Sequence, residues 1–541
     1  MVTQQDIRDS QLRGTRKHPL PIAAATIVLT AAVATIASRH VRGRLLFSRV
    51  ALVVIGLEFA ALALWQRHRV LETLKTFFTA PDHPLNLAIF RMALFGAIFN
   101  DVNISSTLSF SRMPAGLEFA PWGMAHVLLY LPINPAWAKT ACVLLLIFCV
   151  TGFVGFLSRT SALACAILGF YVFGISNFFG KVDHNHHLLW FAVLLAASPC
   201  GDALAVDVLL AERKRPLKGA FAAQLDRAYA LPLRFAALLM GVIYFFPGFW
   251  KLWQSGLDWF LTDDLRNQLY LFWTWSYHAA WLPLFRIDQH PLLCKAAAIA
   301  TVLFELSFIF LVFSPKLRPV AAFAGLIFHA STNLLMQISF LSLRICYVAL
   351  IDWAALLRCM RTPLRPWRTP LEALPPLTPA GARSAPIVAV GILLLVGSIC
   401  AGITRHVHGW PFACYPTFSS STPERIPSLT LFFERPSGAE IPVADLGFPY
   451  HRFYGLSRDL LAIQDRVERD DRLRLLWSRA VQVYPELSAQ GEARFYLEDL
   501  WINPGRWERN PANRRLLFAF DPSEHPVPTR GSALYPDVEW Q

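Results

Sequence analysis

Ionisable side chains interrupt the most apolar stretches of this 541-residue chain. A charge at the centre of a bilayer costs about 2.5–3.5 kcal/mol on insertion scales, so each such group is a functional candidate by default. Lys181 stands first, in GKVDHNHHLLW over residues 180–190. A lysine that is partly desolvated, or set beside another cation, loses proton affinity and can serve as a general base. A lysine at a helix end reaching for lipid headgroups reads the same way in sequence. His184, Asn185, His186 and His187 follow it. Imidazole is the commonest metal ligand. Neighbouring residues do not share a helix face, however, and no acidic pair stands three or four residues away, so no metal is expected. His329 lies among Ser331, Thr332 and Asn333, where a helix-packing hydrogen bond and a catalytic role are both open. Asp101, Lys251 and Arg344 complete the set. Arg91 and Glu305 fall at similar depth on separate apolar runs, which predicts a structural ion pair between them.

These side chains need elements to hold them. The composition is 55% hydrophobic and 16% charged, with a mean hydropathy of +0.41, whereas soluble domains carry about 25% charged residues. A bilayer crossing takes about 17–25 apolar residues. Runs of that kind lie near 19–38, 44–65, 85–105, 137–157, 160–179, 187–204, 230–253, 292–313, 317–336, 339–357 and 386–404. The expected fold is an all-α polytopic membrane helix bundle of about ten or eleven transmembrane helices in a lipid bilayer. Many of the 41 Phe and 17 Trp flank the runs, as an interfacial belt does.

The net charge of +13 sits in short loops, which points to orientation and away from nucleic acid. Arg213, Lys214, Arg215 and Lys218 share one loop, Lys316 and Arg318 a second, and Arg358, Arg361, Arg365, Arg368 and Arg383 a third. The three alternate correctly if all are cytoplasmic. Arg39, Arg42 and Arg44 oppose that scheme unless the first segment is cleaved or half-inserted. Its apolar run exceeds the 7–15 residues of a signal-peptide core, so an uncleaved anchor is expected. The loops around 106–136, 178–186 and 254–291, and everything after about 404, then face the non-cytoplasmic side of a bacterial plasma (inner) membrane. The titratable set gathers in the outer half, where the loop carrying Trp259, Trp273, Trp275, Tyr277 and Trp281 can roof it.

Four regions follow: a tail with two additional helices over 1–79, a main transmembrane domain over 80–357, a Pro/Arg-rich linker with the last helix over 358–404, and a small α+β extracytoplasmic domain over 405–541. In the last, 428–435 and 439–443 predict a hairpin about Pro436-Ser437-Gly438, 457–481 a helix, and 493–503 a strand. The nine Cys include no C-x-x-C pair, so buried thiols acting as small hydrophobes are expected.

Several stretches resemble the HTTM domain family, which includes the membrane region of vitamin K-dependent gamma-glutamyl carboxylase. PLNLAIFRMALFGAIFNDV (84–102) is similar to that family's opening span. GFLSRTSALACAILGFYVFGISNFFGKVDHNHHLLW (155–190) resembles its path into Lys-x-x-x-Asn-x-His, and YFFPGFWKL (244–252) resembles its Tyr-Phe-x-x-Gly-x-x-Lys-Leu segment. LFELSFIF followed by FHASTNLL resembles the later helix pair. The likeness covers roughly 80–355. It implies a catalytic role for Lys181, His187 and His329, and a substrate or cofactor pocket formed by Asn185, Lys251, Tyr244, Asn333 and Arg344. It also implies a reduced, vitamin K-like quinone as cofactor and a protein or peptide substrate on the non-cytoplasmic side. Ala298 stands where a further functional histidine is sought, and only about 135 residues follow the last span. A quinol-dependent carboxylase-like lyase is therefore the first expectation. A non-catalytic quinone- or lipid-binding protein with a partner-docking C-terminal domain is the alternative. A transporter, which lacks visible inverted repeats, ranks last.

Overall fold

The structure is a computed structural model. It describes residues 44–523 apart from 122, 124–126, 128–130, 132, 181–183, 215–224, 278–280, 362–379, 407–408, 414–417, 444–445, 447–449, 489 and 507–513. The chain is mostly helical with one small sheet. Its main helices are α1 (Arg44–Trp65), α2 (Arg67–Thr79), α3 (Pro84–Asp101), α4 (Ile104–Ser111), α5 (Pro135–Val154), α6 (Ser158–Ile175) and α7 (His186–Ala197). Next come α8 (Arg227–Gln254), α9 (Asp264–Tyr277), α10 (Pro291–Leu311), α11 (Arg318–Met336), α12 (Leu341–Cys346), α13 (Trp353–Arg361) and α14 (Ala380–Ile403). Local chemistry sets their starts. Proline occupies the first turn of α3, α5 and α10, where its missing N–H leaves nothing unpaired. Side chains of His83, Asn134 and Asp226 accept from free N–H groups at the starts of α3, α5 and α8.

Seven of the described helices are long and apolar enough to cross a bilayer: α1, α5, α6, α8, α10, α11 and α14. Helix α8 is the hub. It is apolar on all sides, buried over most of its length, and packs against α10 and α14. The other expected spans differ for identifiable reasons. The 85–105 run bends by 51° between α3 and α4, where Asn103 caps the new helix through Ser106 N–H. The 187–204 run is helical only as α7, which stops before Pro199. The 339–357 run breaks into α12, a 3-10 turn (Tyr347–Leu350) and α13, because Asp352 caps α13 through Ala355 N–H. The 19–38 run lies outside the described residues.

After α14 come β1 (Arg425–Glu434), β2 (Glu440–Pro442), α15 (Tyr450–Ala462), α16 (Arg466–Val483), β3 (Glu492–Trp501) and β4 (Arg514–Phe520). The strands form an antiparallel sheet in the order β2-β1-β3-β4. The β1–β2 turn uses Gly438 at φ +78°, as the Pro-Ser-Gly sequence predicts. The expected 457–481 helix is two helices, because Asp465 caps α16 by accepting from Val467 N–H. Trp477 of α16 is fully buried against Phe433, Phe495 and Phe520. This unit rests on the helix bundle. Arg479 donates to Ser109 Oγ of α4 at 2.8 Å, and Gly455 meets the backbone of Gly180.

Candidate functional site

Helices α8 and α10 approach closely because small residues line their contact. A Cβ on Gly241 would stand 2.9 Å from Ile309, and one on Gly248 would stand 2.9 Å from Glu305. That antiparallel register places Lys251 against Glu305. Its Nζ donates to both carboxylate oxygens, at 2.7 and 2.9 Å, and lies 5.3 Å from the Trp259 ring centroid. The two residues are 1% and 5% exposed, so the pair is a neutralised dipole inside the bundle. The pairing corrects the expected Arg91–Glu305 bridge. Helix α10 starts beyond the end of α8, so Glu305 sits level with Lys251 and not with α3. Arg91 is fully buried and donates instead to the carbonyls of Cys200, Ala203 and Leu204, at 2.9, 3.2 and 2.6 Å.

Beside this pair lies a cavity of about 100 Å³. Tyr244, Lys251, Glu305 and His329 line it, together with His184, Thr332 and Leu343. Phe328, Phe340, Trp259 and Phe418 supply aromatic wall. Pro247 also lines it and lacks the N–H that would bond the Ile243 carbonyl, so α8 offers an open backbone position on this side. Tyr244 Oη meets His329 Nε2 at 2.6 Å and makes a very short contact with Tyr347 Oη. Tyr347 can reach it because Gly325 of α11 has no side chain; a Cβ there would stand 2.5 Å from the tyrosine ring. His329 is 2% exposed and its Nδ1 has no hydrogen-bond partner. The tautomer that donates from Nε2 to Tyr244 leaves a lone pair on Nδ1, a base in a dry setting.

One wall comes from the chain after α14. Trp259 Nε1 donates to the Phe418 carbonyl at 2.6 Å, Ser255 Oγ to that of Ser419 at 3.0 Å, and Gln268 Nε2 to that of Ser420 at 3.0 Å. Thr422 N–H donates to Asp264 Oδ1 at 2.8 Å. Burial pushes the Asp264 carboxyl up to about 6, against the Thr422 hydrogen bond and the attraction of Lys251. Phe418 is held at φ +62°, a conformation that costs a non-glycine residue about 1–3 kcal/mol.

The structure thus brings Tyr244, Lys251 and His329 together. Lys181 lies outside the described residues. Asn333 is exposed, and its neighbour Thr332 lines the cavity in its place, which corrects that pocket assignment. His187, Asn185 and Arg344 do not line the cavity either. His187 is buried, donates from Nδ1 to the His184 carbonyl (3.0 Å), and leaves Nε2 unpartnered. His187 and Arg344 act electrostatically on His329. His186 packs on Trp410 and bonds the Gly409 carbonyl at 3.1 Å, a structural role. Of the aromatic loop, Trp259 reaches the cavity, whereas Trp273 is buried with Tyr270 and Ile287. Sequence reasoning missed Tyr347, Phe340, Phe418 and the true partner of Glu305. Only Glu305 carried a signal, as an acid on an apolar run.

Compared with known proteins, the chain matches no family model, no curated protein and no solved structure.

Proposed function

We propose that this chain is a multi-pass membrane enzyme of the quinol-dependent carboxylase type, with its reaction chamber at the α8–α10–α11 cavity in the outer half of the bundle. The observation that supports this most is the cavity itself, where a Lys–Glu pair and a Tyr–Tyr–His hydrogen-bond chain face an aromatic wall. A ring-shaped apolar headgroup with a hydroxyl fits that donor set, since His329 Nδ1 is a buried polar atom without a protein partner. About 100 Å³ is small beside the 300–1,000 Å³ of ordinary ligand pockets. Admitting a ring therefore requires a wall such as Phe418 to turn aside. A bound reduced quinone supplies reducing equivalents and, with oxygen, the strong base needed to carboxylate a carbon acid. The chain's own residues exclude water with Phe328, Phe340 and Trp259. His329 and Tyr244 hold and relay a proton, and the Lys251–Glu305 dipole orients polar groups of the ligand. Lys181, on its resemblance to the family's lysine, takes the first proton.

A second reading has its own observation. Lys251 is bound by both oxygens of Glu305, which removes it as a free base and suits a non-catalytic quinone- or lipid-binding protein. Incubating the reconstituted protein with a reduced quinone, oxygen and labelled bicarbonate separates the two. The enzyme reading expects quinol oxidation that falls by about 10²-fold or more in Lys181→Ala and in His329→Ala. Stoichiometric quinone binding without turnover in the wild-type protein selects the second reading. Full activity in Lys181→Ala removes that residue from the mechanism.

A further inference from the structure

Three arginines among the described residues are more than nine-tenths buried, and two of them, Arg91 and Arg479, each donate three or more hydrogen bonds to the protein, although Arg91 Nε has no partner. Arg91 has its ring of carbonyls. Arg479 donates to the Leu446 carbonyl at 2.9 Å, to Gln482 at 3.1 Å and to Ser109 at 2.8 Å. The third, Arg234 in the second turn of α8, is 6% exposed, and both Nε and Nη1 lack any hydrogen-bond partner. Guanidinium is charged at any working pH and carries five donors in a fixed fork. Leaving two of them unpaired in a buried setting costs far more than an unpaired surface group. Packing does not explain the placement, because a methionine would fill similar space without charge.

The surroundings are rich in positive charge. Arg234 lies with its guanidinium carbon 5.8 Å from the Phe77 ring centroid, and Arg318 approaches the same ring at 5.1 Å. Two cations thus converge on one buried phenyl ring at the starting ends of α8 and α11. Arg318 uses Nε on the Val312 carbonyl at 2.7 Å. Arg227, one turn or two before Arg234, adds a third charge within electrostatic reach. The carboxylate that acts on both Arg234 and Arg318 is Asp82. Its Oδ1 is engaged by His83 N–H and Asn86 Nδ2, each at 2.7 Å. Asp226 caps α8 and faces Arg383 at 3.9 Å. Arg234 and Arg318 thus share the Asp82 carboxylate, which Asp352 also acts on, while Arg227 adds positive charge beside Arg234. The first turns of two long helices also add positive dipole ends here.

We propose that the Phe77–Arg234–Arg318 cluster is a binding site for a phosphate group, held by the unpaired edge of Arg234 and by Arg318. Guanidinium forks match phosphate oxygens in pairs. The site stands apart from the cavity and does not depend on its chemistry. Either an anionic lipid headgroup or free phosphate can supply the ligand, and basic clefts between membrane helices are known to take the former class.

The test uses the full chain in nanodiscs of phosphatidylcholine alone, of phosphatidylcholine with phosphatidylglycerol, and of phosphatidylcholine with added inorganic phosphate. Lipid retention is read by native mass spectrometry and thermal midpoint by unfolding. Phosphatidylglycerol should be retained and should raise the midpoint, with affinity about tenfold or more lower in Arg234→Gln and Arg318→Gln. The exposed control Arg466→Gln should leave it unchanged. In phosphatidylcholine alone, Arg234→Gln should match or exceed wild-type stability, because an unpaired buried charge has gone. A purely structural arginine predicts a lower midpoint in all three discs. Stabilisation by phosphate in phosphatidylcholine discs assigns the site to the free anion, and stabilisation by phosphatidylglycerol alone assigns it to lipid. If neither ligand shifts the wild-type protein beyond Arg318→Gln, the proposal is wrong. That result leaves the quinol reading untouched.

Discussion

Two sets of ion pairs in this molecule use the same chemistry to opposite effect. In the C-terminal sheet, Arg494 bonds Glu434 and reaches Glu492 at 2.7 Å, while Arg514 reaches Glu440 at 2.5 Å. Those side chains are about one-fifth to two-fifths exposed, so water screens them and replaces any lost partner. Lys251 and Glu305 are almost wholly enclosed by apolar helices. There, each charge is tolerable only because the other is present. The sheet network is one interaction among many, whereas the buried pair sets a polar point around which the cavity is organised.

The contrast can be broken most severely at Glu305. Glu305→Ala leaves a buried uncompensated ammonium and should cost about 3–5 kcal/mol in unfolding experiments in detergent. Lys251→Met with Glu305→Leu should recover most of that loss; a single variant costing under about 1 kcal/mol would mean that water reaches the pair. Next in size is Gly325→Ala, whose new methyl must displace the Tyr347 ring. Overpacking of this kind costs about 1–3 kcal/mol, and the variant should also break the Tyr347–Tyr244 contact, readable as loss of any quinol-dependent activity.

A smaller effect comes from Asp264, at the wall of the cavity. Burial raises its folded-state carboxyl from 3.8 to about 6, so between those values the folded chain keeps a proton that the unfolded chain has released. Its contribution is full below about 4 and is lost as pH rises through about 6. Asp264→Asn should flatten that part of the stability–pH curve while keeping an acceptor for Thr422 N–H. A curve as steep as wild type would place the titration elsewhere, with Asp459, also raised to about 6 by burial, as the first alternative. The least effect belongs to the exposed network: Arg494→Gln should change stability by no more than about 1 kcal/mol.

Much of this architecture was legible in the sequence because apolar runs and helix caps are local signals. The long helices α1, α5, α6, α8, α10, α11 and α14 fall where hydropathy predicts them, as does the hairpin at Gly438. What failed was relative depth. Glu305 and Arg91 fall at similar depth on their own apolar runs, but α10 begins beyond α8, and glycines 241 and 248 decide the register. Breaks at Asn103 and Asp352 came from capping side chains inside apolar runs, which hydropathy averages away. Lys251 and His329 stand out as polar residues at apolar positions, and Tyr244 enters only through the resemblance of YFFPGFWKL. Phe418 does not stand out, since a phenylalanine far along the chain gives no sign that it closes a distant cavity.

Trp259 lines the cavity, so its fluorescence reports directly on what enters there. Titrating the reconstituted protein with a quinone should quench one saturable component that is absent in Trp259→Phe, with affinity about tenfold or more weaker in His329→Ala. Quenching that never saturates, or that is the same in His329→Ala, would contradict the account of this chamber as a quinone site.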